Sequence, residues 1–181
     1  MTTPTLLALL GGAVLVFWVL GAYNRLMRLR NAIGGAWQLV DEALARRGEA
    51  MLPLVAALRP GLEGEGAALD ALLTGQAQVA AAADGLRPRP VVADAAQALA
   101  RAEAVLAPAS ARVLALLDLH PELRSSEAVA ALLAQLREIE PRLVFARQVF
   151  NEAVQAYNEA VRQWPTQAVA RLYGFGTAGR L

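Results

Sequence analysis

Residues 1–24 carry no charged side chain, and the seven that follow carry three arginines, Arg25, Arg28 and Arg30. Leu6–Tyr23 is built from Leu, Ala, Gly and Val, with Phe17 and Trp18 inside it. As a helix this stretch spans roughly 27 Å, close to the apolar thickness of a bilayer. A helix closes its own backbone hydrogen bonds, so such a segment is stable in lipid. The arginines then end it. A cleaved signal peptide would carry basic residues ahead of its apolar core and a small-x-small cleavage site. Nothing basic precedes Leu6, and Leu20-Gly21-Ala22 matches such a site only weakly. A buried core helix would show a polar face, and this one has none. The expectation is therefore a retained transmembrane signal-anchor over residues 1–24, followed by a soluble body. With basic residues on the C-terminal flank only, the positive-inside bias puts the N-terminus outside and the body in the cytoplasm.

The remainder, about 157 residues, suits one domain. It is rich in Ala and Leu, both good helix formers. Net charge is +1, which gives no strong field for nucleic acid. All 17 basic residues are arginine. Without lysine, Schiff-base chemistry and the phosphate-binding P-loop are excluded. Without cysteine there is no thiol nucleophile, disulfide or thiolate metal site. The single histidine, His120, precedes Pro121 and reads as a helix end rather than a metal ligand. Glu138 and Glu140 point to different faces and form no acid–base pair. The glycines of the stretch 61–66 follow a helix, not a strand, and lack the Lys-Ser/Thr of a phosphate cradle. The composition points away from an enzyme: no catalytic, cofactor-binding or metal-ligating residue is expected.

Gly/Pro punctuation divides the body into four helices. The first continues from the anchor through Tyr23 to about Arg59, with Leu26, Leu29, Ile33, Trp37, Val40 and Leu44 at steps of three and four. Gly34-Gly35 and Pro53 mark bends in it. The second covers 66–83 and the third 92–119, with Pro108 inside, where a kink or a local break is expected. The fourth carries Val129, Leu132, Leu136, Ile139, Leu143, Ala146, Phe150, Ala153, Tyr157, Ala160 and Trp164, a heptad seam of coiled-coil type. Pro141 should kink it. A short helical turn over 167–173 follows Pro165. No run shows strand alternation. One-striped helices must pack together, and short connections favour antiparallel neighbours. The expected fold is all-α: an N-terminal transmembrane helix, an antiparallel up-down-up-down four-helix bundle over 25–165, and a short C-terminal tail over 166–181.

Two groups of residues follow from that geometry. Asn24 and Asn31 lie seven apart on the first helix, as do Asn151 and Asn158 on the fourth. In the antiparallel arrangement the two faces meet near the membrane, and the amides form a structural polar seam that fixes register. Trp18 and Tyr23 fall at headgroup level. Trp164, Tyr173 and Phe175 return to that level from the other end, where amphipathic aromatics are favoured. With Arg25, Arg28 and Arg30 they make up the expected membrane interface, and Arg171 and Arg180 add contacts to anionic lipid. Asp41, Arg46 and Arg47 read as a solvated face of the first helix.

Two separated segments carry a resemblance. One runs Tyr23-Asn24-Arg25-Leu26-Met27-Arg28-Leu29-Arg30-Asn31, then Ala36-Trp37, Val40-Asp41, Leu44-Ala45-Arg46-Arg47 and Leu52-Pro53-Leu54-Val55. The other runs His120-Pro121-Glu122-Leu123, Phe145-Ala146-Arg147, Phe150-Asn151-Glu152-Ala153-Val154, Tyr157-Asn158, Pro165, Ala170 and Gly174-Phe175. Together they resemble the LemA family, over nearly the whole soluble body. The chain departs from the family pattern at Pro141 and at Gly48-Glu49-Ala50. The resemblance implies a bacterial inner-membrane protein with an N-terminal anchor and a cytoplasmic four-helix bundle. It brings no catalytic residues. Relatives occur near membrane proteases and in magnetosome formation, which implies interaction or scaffolding. The expected role is a non-enzymatic, membrane-anchored scaffold or adaptor, with membrane lipid and protein partners, membrane proteases among them, and no nucleic acid. The alternative is a lipid-surface or membrane-shaping homo-oligomer.

Overall fold

The computed structural model describes residues 3–181; residues 1 and 2 of the expected anchor lie outside them. The chain is all-helical, with no strand among the described residues. Anchor and first body helix are one element: α1 runs unbroken from Thr3 to Leu58, 56 residues or roughly 84 Å. Two short 3-10 turns, Arg59–Gly61 and Glu63–Glu65, carry the chain into α2, Gly66–Leu86. Arg87-Pro-Arg-Pro90 separates α2 from α3, Ala93–Leu119. A single turn, α4 at Pro121–Arg124, leads into α5, Glu127–Arg162, and the short α6, Thr166–Leu172, follows. Helices two to four of the sequence reading are thus found within a few residues. Gly34-Gly35, Pro53, Pro108 and Pro141 do not divide their helices. Each proline still removes one backbone hydrogen bond from its helix.

α1 packs mainly on α5, and α2 mainly on α3. Contacts that step up α1 step down α5: Arg25 reaches Gln163, and Trp37 stacks edge-on against Phe150 with ring centroids 6.2 Å apart. Likewise Asp41 of α1 meets Arg87 after α2, while Arg59 meets Asp70 near the start of α2. The core is one cluster. Leu26, Ile33, Trp37, Val40 and Leu44 bury the expected stripe of α1, and Ile139, Leu143, Ala146, Phe150, Tyr157 and Ala160 that of α5. At both ends the α5 seam differs. Leu133 is buried where Leu132 is half-buried, and Trp164 is 80% exposed. A straight helix drifts from a strict 3.5-residue repeat. Trp164 itself lies past the last residue of α5, so it leaves the seam.

The first turns of α1 are different in kind. Leu9, Leu10, Val14, Leu15, Val16, Phe17 and Leu20 are exposed, Phe17 at 75%. α1 is long and apolar enough to cross a membrane. Burial begins at Ala22 and Leu26, the point where charge first appears in the sequence.

Candidate functional site

The last sixteen residues fold back onto the point where α1 leaves its apolar stretch. Gly174 adopts φ +70, the left-handed conformation that closes a helix. The Phe175 N–H donates to Ala170 O at 2.8 Å and the Gly174 N–H to Arg171 O at 3.4 Å, so α6 ends with its last carbonyls satisfied. That turn brings Tyr173 and Phe175 onto Tyr23, at ring-centroid distances of 5.0 and 5.8 Å. Arg25 donates to Gln163 at 3.5 Å. Tyr23 is half-buried by these contacts. Trp18, Arg25, Arg28 and Arg30 are exposed on α1, and Trp164, Leu172 and Tyr173 (54%) are exposed beside them. Of the residues expected at a membrane interface, Tyr173 and Phe175 are brought onto Tyr23, with Phe175 tucked against the core.

The asparagines behave differently from the expected four-amide seam. Asn24 and Asn31 are exposed and take no part in it. Asn151 and Asn158 do face inward, but their partner is the tail. Asn158 donates from Nδ2 to Ala178 O at 2.9 Å and accepts from the Ala178 N–H at 2.7 Å. Asn151 repeats the pattern on Leu181, at 2.7 and 2.9 Å. The spacing explains the match. Seven helical residues advance about 10.5 Å, and three extended residues about 10 Å. Each amide satisfies both backbone groups of one tail residue, as a neighbouring strand would. Gly179 sits between the two rungs, where a Cβ would lie 2.7 Å from the Ala93 Cα.

Farther from the apolar stretch, the solvated face expected of α1 divides. Arg46 is exposed and pairs with Glu42 at 2.6 Å. Asp41 is half-buried and takes a bidentate pair from Arg87, at 2.8 and 2.9 Å. The hydrogen bonds that the Arg87 guanidinium donates to this carboxylate, and then the carboxylate's charge, hold the guanidinium above its ordinary pKa. Arg47 is only 4% exposed, contrary to the sequence reading. Its guanidinium forms a two-pronged pair with Glu103 of α3; the Nη1–Oε2 distance is 3.1 Å. Arg147 of α5 reaches the same carboxylate at 2.7 Å. One residue from each of three helices thus forms an Arg–Glu–Arg triad of net charge +1. Burial alone pushes the Glu103 carboxyl pKa up, but the two arginines outweigh it and hold the group below its ordinary value. An arginine beside another at the next position gave no sequence signal of this. The seam did carry one: Arg47 follows Val40 and Leu44 by seven and three residues, on the buried stripe.

His120 ends α3, with Nδ1 3.1 Å from Glu122 Oε1. Among the described residues no group of three His, Asp or Glu side chains stands together as a metal site would require.

Two comparisons bear on this arrangement. The chain is 28% identical over 79 residues to the magnetosome protein MamQ of Magnetospirillum gryphiswaldense, a match covering 44% of this chain and 29% of that one. It thus spans less than a third of that relative's length. The model of the LemA family matches residues 36–180, from the middle of α1 through the asparagine-bound tail. That range holds Trp37, the Arg47–Glu103–Arg147 triad, both α5 asparagines and the Ala178 rung. The chain belongs to the LemA family.

Proposed function

We propose that this protein is a non-enzymatic adaptor of the bacterial inner membrane. Its first helix spans the bilayer once, with the N-terminus outside, and holds an antiparallel up-down-up-down four-helix bundle against the cytoplasmic face. The observation that carries this reading is the continuity of α1. Exposed apolar turns and the buried stripe of the body belong to one unbroken helix. With no flexible linker between them, the body has a fixed attitude to the bilayer rather than a long tether. Arg25, Arg28 and Arg30 at the junction support the cytoplasmic orientation. The tail supports a set standoff: Tyr173 and Phe175 brace Tyr23, and Trp164, Leu172 and Tyr173 remain exposed where headgroups would lie. The alanine-rich outer faces of α2 and α3 are the surface left for protein partners, membrane proteases among them.

The absence of cysteine makes the orientation simple to test. Single variants Thr3→Cys and Ser126→Cys are treated in intact cells with a membrane-impermeant thiol reagent. Labelling at 3 but not at 126 is expected; the reverse pattern overturns the topology. Crosslinking in native membranes followed by affinity capture tests the adaptor role, which fails if no partner recurs above the anchor alone.

A second reading has its own support. The exposed aromatics beside Tyr23 suit contact with the lipid surface, and the relative MamQ is a magnetosome protein by name. On this reading the chain self-assembles on the bilayer and shapes it. Deformation of liposomes by the reconstituted protein would favour it. Unchanged vesicles holding a monomeric protein would exclude it.

A further inference from the structure

The half of the body far from the apolar stretch encloses a cavity of about 600 Å³. Its walls come from α1, α2, α3, α4 and α5, and its exposed rim from α3, α4 and α5. Inside it is apolar, with Leu54, Leu72, Leu106, Val113, Leu117 and Leu133 all buried. One end is charged, because Arg47, Glu103 and Arg147 line it. That size and lining, apolar with a few convergent polar groups, is the character of a small-molecule site.

Three further features separate it from a packing defect. First, three of the five helices that frame it, α1, α3 and α5, each carry an interior proline at its level. Pro53 lies between the lining residues Met51 and Leu54, Pro108 between Ala107 and Ser110, and Pro141 next to Glu140. A proline inside a helix costs about 3 kcal/mol, and nothing in the core requires one here. Second, the charged end is electrostatically unbalanced. The triad carries one net positive charge, and the Arg47 Nε–H is buried without an acceptor. Third, among the described residues Arg147 pairs with Glu103 alone, although a guanidinium has five donors. Arg137 also lines the cavity and forms no ion pair among the described residues.

We propose that this cavity binds a monoanionic amphiphile, its apolar tail among the leucines and its carboxylate or phosphate head on Arg147. Four arginines line the cavity against the three carboxylates of Glu103, Asp118 and Glu140, one net positive charge, which leaves room for a single negative charge. The head gains charge-assisted hydrogen bonds in a site already partly desolvated. The tail removes apolar wall from water. Glu103 holds Arg147 in place and is a positioning residue. This site is independent of the adaptor reading and of the membrane-facing end.

The test uses the full chain in nanodiscs of zwitterionic lipid, with dodecanoate as probe. Saturable binding above empty nanodiscs, one per chain, is expected. Ala107→Trp, which fills the cavity from its exposed rim, and Arg147→Gln, which leaves the Arg47–Glu103 pair intact, should each weaken it about tenfold or more. Dodecyltrimethylammonium should bind at least about tenfold more weakly than dodecanoate. Dodecyl phosphate run in parallel tells which head is preferred. Absence of saturable binding, or binding that A107W leaves unchanged, overturns the site. Equal binding of the cationic probe, or no effect of R147Q, overturns the anionic head. A dimer abolished by A107W would mean that a second copy fills the cavity and would also overturn it. Backbone amide shifts at Ala107 and Ser110 in the wild-type chain give a readout that needs no variant.

Discussion

The two ends of the body are held by opposite means. Around Tyr23 the chain is closed by neutral groups: three aromatic rings, a glycine-terminated helix, and two asparagines that each grip a tail residue through both backbone groups. Around Glu103 it is held by charge, with three ionic side chains from three helices beside an open volume of about 600 Å³. Neutral amide pairs cost little to desolvate once both partners are satisfied, so they suit an end that must keep one shape. Buried ions cost several kcal/mol each to desolvate, and hydrophobic residues in their place are often as stable. An ion triad at the far end is therefore poor evidence for stability. The near end fixes the body to its helix, and the far end is left with space and charge to use.

The comparison is most sharply tested at Glu103. Glu103→Ala leaves Arg47 buried without a carboxylate and should destabilise the chain by about 3 kcal/mol. Arg47→Met removes the buried cation together with its need for a partner, and Glu103 keeps Arg147. It should cost clearly less, by chemical denaturation of the full chain in detergent. If R47M were the worse variant, the triad would be a packing element and not a charge balance. Acid separates the two ends as well. Glu103 is held below its ordinary pKa of 4.5, so its contribution is complete above that value and is lost as pH falls through the lower folded one. The wild-type denaturation midpoint should fall between pH 5 and 3 more steeply than that of Glu103→Gln. The Asn158–Ala178 rung joins an amide to backbone peptide groups and titrates nowhere in that range, so amide exchange at Ala178 should show no matching step.

At the near end the expected losses are smaller and local. Asn158→Ala removes both bonds to Ala178 and should cost about 1–2 kcal/mol. Gly179→Ala sets a Cβ 2.7 Å from the Ala93 backbone and should release the same segment by sterics alone. Both should raise hydrogen exchange at Ala178 and Leu181 while α2 and α3 stay protected. Global unfolding from either change would mean that the tail is part of the core rather than a strap across it.

The sequence made some of this legible and hid the rest for identifiable reasons. Hydrophobic period located α5, because Ile139, Leu143, Ala146, Phe150 and Tyr157 obey one repeat over many turns. It misplaced Trp164 because Pro165 ends the helical register that carried the count. The seven-residue spacing of Asn151 and Asn158 puts both amides on one helical face, and both reach the tail from it. It could not name their partner, since an extended strand and a second helix both offer polar groups at about 10 Å intervals. The continuity of α1 through Gly34-Gly35 and Pro53 is a tertiary result: packing on α5 outweighs local propensity. The cavity has no sequence signature except three prolines in three helices, which read separately as bends and acquire a common meaning only once they stand at one level.

The smallest effect gives the finest test of the comparison. Arg46 and Arg47 are adjacent, chemically identical, and both paired with a glutamate. Arg46 meets Glu42 four residues away on its own helix, and both side chains are at least half exposed. Water and salt screen such a pair, and ordering two long side chains offsets much of the attraction. Arg46→Ala should therefore change stability by no more than about 0.5 kcal/mol, and 0.5 M salt should erase the difference. Arg47 is itself buried and its partner on another helix is 17% exposed, so added salt has little access to the pair. Its stability difference against Arg47→Ala should persist in the same salt. Equal salt sensitivity at 46 and 47 would mean that the far end is wetter than the 4% exposure of Arg47 indicates, and that its charge is spent on water rather than held for a ligand.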